Sequence, residues 1–70
     1  MNRKEAAMIL SELGANQLVN PNLVLIEQKS PEKSQLQVRG DFDRRRIESF
    51  LKKKNLSFEM KNDYLTISKP

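Results

Sequence analysis

The sequence predicts an α+β fold, an αββαββ two-layer sandwich in which two helices cover one face of a four-stranded, mainly antiparallel sheet. Two segments carry apolar residues at helical spacing, and four segments alternate or are rich in β-branched residues. Gly, Pro and Asn separate these segments, in the order helix, two strands, helix, two strands. A chain of 70 residues allows one small domain, residues 1–70, and such a sandwich would bury the alternating apolar positions.

The first helix is predicted over residues 2–13. Asn2 and Glu5 have the spacing of a capping box, in which each side chain accepts from the backbone of the other residue. Gly14 stands where a left-handed residue would end the helix. The apolar positions fall on one face: Ala6, Ile9, Leu10 and Leu13.

The first strand is predicted over residues 23–28, after a breaker of Asn and Pro residues. It is apolar on both faces. If Val24 and Ile26 point inward, Leu23 and Leu25 point outward, because successive side chains of a strand alternate. Which of these two pairs is buried is left open by the pattern.

A polar loop over residues 29–34 leads to a second strand over residues 35–39, in which Leu36 and Val38 alternate with polar residues. The two strands are close enough in sequence to form a hairpin. Gly40 ends the second strand.

The second helix is predicted over residues 43–54. Asp43 is the better candidate for the N-cap, with Asp41 as the alternative, because Phe42 and Ile47 then have the spacing of a hydrophobic staple. The core face consists of three residues: Ile47, Phe50 and Leu51.

The last hairpin gives the sharpest local signal, because two alternating segments flank Asn62 and Asp63, both of which tolerate a two-residue turn. This turn would set Met60 opposite Leu65, and Phe58 opposite Ile67, on one face of the sheet. The other face would be polar. Its residues are Gln35, Gln37, Arg39, Ser57, Glu59, Lys61, Tyr64, Thr66 and Ser68.

The amino-acid composition argues against several classes of function. Without Cys or His there is no disulfide framework, no thiolate metal site and no histidine general base. Only two glycines are present, and no phosphate-loop, dinucleotide or serine-elbow pattern can be placed. We therefore expect a non-enzymatic protein with no cofactor, no metal and no small-molecule substrate. The chain has no apolar run of membrane-spanning length and no signal-peptide pattern, so we expect no membrane partner and a cytoplasmic location.

The charge is uneven along the chain. The net charge is +4, and residues 29–70 contain eleven basic against six acidic side chains. A basic surface favours polyanionic partners. The second helix would place its cations opposite its core face, either as an ordinary solvated surface or as a contact for the phosphate backbone of DNA or RNA. The candidate nucleic-acid-binding residues are Arg44, Arg45, Arg46, Lys52 and Lys53.

The alternative function is a protein-interaction module that forms a homodimer through the apolar first-strand region. A strand with two apolar faces in a sheet with helices on one side needs a cover, either from its own chain or from a partner. The candidate interface residues are Leu18, Val19, Leu23 and Leu25. The pair at 18 and 19 would also serve as the cover within the chain.

Overall fold

The computed structural model describes residues 1–30 and 33–69. The chain forms α1 (Arg3–Ala15), a 3-10 turn (Pro21–Leu23), β1 (Val24–Ser30), β2 (Lys33–Arg39), α2 (Arg44–Lys53), β3 (Ser57–Met60) and β4 (Tyr64–Ser68). The predicted fold class is confirmed: the fold is α+β, with the helices and strands in the order αββαββ.

The four strands form one antiparallel sheet in the order β1-β2-β4-β3. Each αββ unit therefore contributes one edge strand and one central strand, and β2 and β4 meet in the middle. We call α1, β1 and β2 the first unit, and α2, β3 and β4 the second unit. The two units have the same arrangement although their residue patterns differ.

The core lies between the sheet and the two helices. Cross-strand pairs such as Leu36 with Ile67, and Val38 with Leu65, place the central apolar residues on the face that the helices cover. All four of these side chains are fully buried. The helices contribute four fully buried residues to the same cluster: Ala6, Leu13, Ile47 and Leu51.

The first helix begins as predicted and ends differently. Asn2 and Glu5 form the capping box. The prediction that Gly14 ends the helix in a left-handed conformation is wrong: Gly14 lies inside α1, and the positive φ of 56° belongs to Gln17. The Leu18 N–H donates to the Leu13 carbonyl at 2.9 Å, and the Gln17 N–H donates to the Gly14 carbonyl at 3.0 Å. This is a Schellman motif, whose apolar contact forms between Leu13 and Leu18, both of which are buried.

The second helix ends in the same motif. Asn55 has a φ of 58°. The Leu56 N–H donates to the Leu51 carbonyl at 2.9 Å, and the Asn55 N–H donates to the Lys52 carbonyl at 3.1 Å. Asn tolerates a positive φ better than most residues because its short polar side chain can hydrogen-bond locally.

The first hairpin has longer strands than predicted. Leu23 lies in the 3-10 turn, and β1 runs to Ser30, so Lys29 and Ser30 belong to a strand and not to a loop. Lys33 and Ser34, which the sequence also predicts as loop, are the first residues of β2. The rest of the predicted loop, residues 31 and 32, lies outside the described residues. Val24 is buried whereas Leu25 is 56% exposed, which settles which face of β1 packs inward.

The second hairpin has the predicted register. Met60 pairs with Leu65, and Phe58 pairs with Ile67. The Lys61 N–H donates to the Tyr64 carbonyl at 2.8 Å, which closes the two-residue turn at 62 and 63. Met60 is 36% exposed although its partner Leu65 is fully buried, because β3 is an edge strand.

Candidate nucleic-acid interface

The orientation of α2 is fixed at its start and along its core face. Asp43 is the N-cap, as predicted, and its side chain accepts from the Arg46 N–H at 3.2 Å. Ile47 and Leu51 are fully buried, one turn apart. Their burial turns the opposite face of the helix, and most of its cations, toward solvent.

All five predicted nucleic-acid-binding residues are exposed. They differ in their partners. Arg44 pairs with Glu48 one turn along the helix, with a distance of 3.2 Å between Nε and Oε1. The other four have no carboxylate partner within residues 1–30 and 33–69. We call these four residues the cationic strip: Arg45, Arg46, Lys52 and Lys53.

The strip follows the helix axis. A step of seven residues is nearly two turns, so Arg45 and Lys52 share one line of the surface, and Arg46 and Lys53 share the next. Each pair is separated by about 10 Å along the axis, since each residue adds 1.5 Å. The exposed Ser49 lies between the two ends of the strip. These four exposed cations form no ion pair in the described ranges, although Glu48, which pairs with Arg44, lies one turn from both Arg45 and Lys52.

Two contacts hold α2 beside the carboxyl end of α1, and sequence reasoning did not find them. The Lys54 ammonium pairs with the Glu12 carboxylate at 2.9 Å. The Arg46 guanidinium donates to the Asn16 carbonyl at 3.4 Å, close to the end of α1 where the helix dipole favours a cation. Both contacts join residues that are far apart in the chain, so no local sequence pattern predicts them.

Phe50 is less buried than the sequence predicts. The sequence predicts a core residue at this position, but Phe50 is only partly buried and packs against the edge of the core cluster. The Lys54 ammonium lies 5.8 Å from the centre of its ring. Lys54 is thus occupied by Glu12 and Phe50, which separates it from the neighbouring lysines of the cationic strip.

The polar sheet face also forms as predicted, and it lies on the opposite side of the molecule from α2. Arg39 stacks over the ring of Tyr64, with 5.0 Å between the guanidinium carbon and the ring centre. Nearby, Glu27 accepts hydrogen bonds from Gln35 and Gln37. Because the sheet separates the two surfaces, a single short strand of nucleic acid cannot contact both.

The pKa values of three exposed groups are shifted by neighbouring charges. The Lys69 ammonium and the Asn2 N–H lower the pKa of Glu5. Lys29, with help from Gln35 and Gln37, lowers the pKa of Glu27. Hydrogen bonding to Glu59 raises the pKa of Lys61. All these shifts favour the charged forms, as expected for exposed ion pairs.

The four candidate interface residues are divided by the structure. Leu18 is 7% exposed inside the chain's own core, and Val19 is partly buried against that core. Leu23 is 42% exposed and Leu25 is 56% exposed. Leu18 is therefore a core residue, but the expected cover of the outer face by residues 18 and 19 is wrong, because Leu23 and Leu25 stay accessible.

Within residues 1–30 and 33–69, no three acidic side chains come together as a metal-ligating group. None of the helices in these ranges is both long and apolar enough to cross a membrane. No protein-family model, curated protein or solved structure matches the chain.

Proposed function

We propose that this protein binds nucleic acid weakly and without sequence preference through the cationic strip on α2. The observation that supports this proposal is that the cations of α2 and of its C-cap, Lys54, differ in whether a carboxylate pairs with them. Arg44 and Lys54 are held by carboxylates, whereas the four residues of the strip are exposed and have no carboxylate partner in the described ranges. A polyanion would supply the missing partners.

The chemistry of the strip favours phosphates over bases. Arg and Lys donate to phosphate oxygens, and such contacts position a protein on nucleic acid without reading its sequence. No Asn or Gln lies within α2 to read adenine. Four phosphate contacts imply a slope of log affinity against log salt of about −3 to −4 on duplex DNA, and about −3 on single strands.

The test is a fluorescence-anisotropy titration of labelled duplex and single-stranded oligonucleotides at several salt concentrations. We expect binding at low salt, similar affinities for unrelated sequences, and the stated slopes. Arg45→Glu combined with Lys52→Glu should abolish measurable binding, since both lie on the outermost line of the strip. The free energy of unfolding should change by less than about 0.5 kcal/mol, because exposed charges contribute little to stability.

The matched control reverses two exposed cations on the other helix. Arg3→Glu with Lys4→Glu changes the net charge by the same amount, but the substitutions lie at the start of α1. If the proposal is right, this control keeps most of the binding. Equal loss in both double variants would mean that net charge and not the strip drives binding. No binding by the unaltered protein at low salt would reject the proposal.

A second candidate function rests on Leu25. This residue is 56% exposed on the outer face of β1, and β1 is an edge strand with a free row of backbone groups. A second copy of the chain that pairs along this edge would use the free backbone groups, and packing of its side chains against the outer face would cover Leu25. Sedimentation velocity over a wide concentration range tests this: Leu25→Lys should stay folded and should abolish any dimer. A wild type that stays monomeric at high concentration excludes it.

A further inference from the structure

The two edges of the sheet differ in how well they are protected against pairing with another chain. The edge strands are β1 and β3. An edge strand leaves one row of backbone N–H and C=O groups without a strand partner, and natural edges are protected by shortness, by charge or by a bulge. β3 has four residues, whereas β1 has seven. Length therefore protects β3 and does not protect β1.

The carboxyl half of β1 has the other two protections. The register with β2 shifts between Gln28 and Ser30, which makes Lys29 the extra residue of a β-bulge. Such a bulge increases the local twist and interrupts regular pairing. The Lys29 ammonium, held at 3.0 Å from the Glu27 carboxylate, adds a charge at the same place. A neighbouring strand is therefore disfavoured beside residues 28–30.

The amino half of β1 is regular and apolar. Val24, Leu25 and Ile26 pair with β2 without interruption. Leu25 is 56% exposed on the outer face. On the inner face Ile26 is only partly buried, although its partner on β2, Leu36, is fully buried. Apolar side chains on both faces thus border a free row of backbone groups, which is the surface that another apolar strand would complete.

A second copy of the chain has the same unpaired edge, so pairing two β1 strands satisfies both rows of backbone groups at once. A symmetric dimer uses the same residues on both sides of its two-fold axis. In an antiparallel pair, directly opposite side chains lie on the same face of the sheet. The axis therefore passes between one residue of β1 and the same residue of the second copy. That residue defines the register, and each of residues 25–29 has β1 residues on both sides of it.

Charge and regularity select one register. Centres at residues 28 and 29 require regular pairing through the bulge. A centre at Glu27 sets two carboxylates directly opposite each other, which is destabilising. A centre at Ile26 sets each exposed Leu25 beside the Glu27 carboxylate of the second copy. A centre at Leu25 sets Leu25 opposite its own copy and Val24 opposite Ile26 twice, and it keeps the two Glu27 residues about 13 Å apart along the strands.

We propose that two copies of this chain pair antiparallel along the amino half of β1, with Leu25 opposite Leu25 at the two-fold axis. The result is one continuous sheet of eight strands. This inference rests on the second candidate function and adds its register and its contact residues. The bulge at Lys29 ends the pairing on each side, so the same feature that protects the carboxyl half also fixes the register.

The experiment is a cysteine cross-linking scan, because the chain contains no Cys of its own. Each single variant places a cysteine at one of the five centres, and the protein is oxidised mildly at a concentration where sedimentation shows the dimer. Leu25→Cys should form the covalent dimer at least about tenfold faster than the other four, since opposite Cβ atoms lie about 4.5–5.5 Å apart. Its nearest competitor is Ile26→Cys, whose two cysteines would be diagonal neighbours about 7–8 Å apart and out of disulfide reach. The other three variants are Glu27→Cys, Gln28→Cys and Lys29→Cys.

Met8→Cys is the matched control for random collisions. Met8 is 59% exposed, about as much as Leu25, but it lies on α1 and not on the edge of the sheet. Fastest cross-linking at position 26, 27, 28 or 29 would overturn the register and leave the dimer of the second candidate function standing. Rates at all five positions equal to that of Met8→Cys would overturn the proposal.

A measurement on the unaltered chain makes the test independent of cysteine. In a mixture of isotope-labelled and unlabelled protein, isotope-filtered NMR detects contacts between copies alone. We expect contacts between the methyl groups of Val24 and Ile26 of different copies, and between the two Leu25 side chains. Their absence in a sample that sediments as a dimer would reject this register. A wild type that stays monomeric would remove both the dimer and its register, and the function proposed for the cationic strip is unaffected by either result.

Discussion

The two helices lie side by side on one face of the sheet and end in the same hydrogen-bond pattern, yet their outward faces differ. Within α1 there are two basic and two acidic residues, whereas α2 contains five basic residues and one acidic residue. Each helix contributes two fully buried apolar residues to the core, Ala6 and Leu13 from α1 and Ile47 and Leu51 from α2. Packing therefore requires an apolar inner face from both helices, and it does not explain why the outer face of α2 is basic.

Two acidic residues of the helices, Glu12 and Glu48, form ion pairs with cations of α2 or its C-cap, whereas most cations of α2 form none in the described ranges. The only carboxylate of α2, Glu48, holds Arg44, and Glu12 of α1 holds Lys54. Glu12 holds the end of the second helix against the first, and Glu48 restrains Arg44 at the start of the second helix. The four residues of the strip form no ion pair within residues 1–30 and 33–69, which is why we assign binding to the strip and not to the whole helix.

The largest expected effect tests whether both helices are packed equally well. Leu13→Ala and Leu51→Ala remove fully buried side chains at the same position of the two Schellman motifs. Each should lower the free energy of unfolding by about 2–5 kcal/mol, measured by urea denaturation. A loss below about 1 kcal/mol for either would show that its helix is not docked as described. Phe50→Ala should cost less than Leu51→Ala, because Phe50 is only partly buried.

Next in size is a backbone effect at the end of the first unit. Gly40 has a φ of 83°, and a Cβ added there would clash with Cδ1 of Leu23. Gly40→Ala should therefore destabilise the protein by about 1–3 kcal/mol. Gly14→Ala is the comparison: Gly14 lies within α1 and has no positive φ, so its only cost is a tight contact of the added Cβ with Cγ of Pro21 at 3.0 Å. Thermal unfolding of both variants checks the difference, and equal melting temperatures would contradict it.

A smaller effect distinguishes the two helix ends. Gln17 and Asn55 both have a left-handed backbone, but Gln gains less from local hydrogen bonding there than Asn does. Gln17→Gly should stabilise the protein by about 0.5 to 1 kcal/mol, and Asn55→Gly by less than half as much. Chemical denaturation measures both. A larger gain at Asn55 would mean that the two motifs are not equivalent.

The smallest effects are electrostatic, and they have opposite pH dependence in the two units. The pKa of Glu5 in the first unit is lowered from 4.5, so its stabilising contribution is present above that value and is lost as the pH falls through the folded pKa. The pKa of Lys61, just after β3, is raised from 10.5. Its contribution is present below that value and is lost as the pH rises through the folded pKa.

Melting temperatures of Glu5→Gln and Lys61→Gln against pH check these signs. The difference between Glu5→Gln and the wild type should shrink below about pH 4 and stay constant toward neutral pH. The difference for Lys61→Gln should shrink only above about pH 11. Both differences should be small, because these groups are exposed and their ion pairs are screened. A difference for Glu5→Gln that grows in acid would contradict the ion pair with Lys69.

The sequence by itself determined the local parts of this protein. Helical spacing, the capping box at Asn2 and the N-cap at Asp43 depend on residues within one or two turns, so they can be recognised along the chain. The register of the last hairpin follows equally from its two-residue turn. The basic residues of α2 could be assigned to its outer face because Ile47 and Leu51 define the inner one.

Only the tertiary structure decided the features that join distant residues. The sheet order placed β2 beside β4, and burial made Leu18 part of the core while Leu25 stayed exposed. The ion pair from Glu12 to Lys54 separated a restrained cation from the strip. Such contacts depend on which surfaces meet after the chain collapses, a choice made by the packing of the whole domain and not by any single segment.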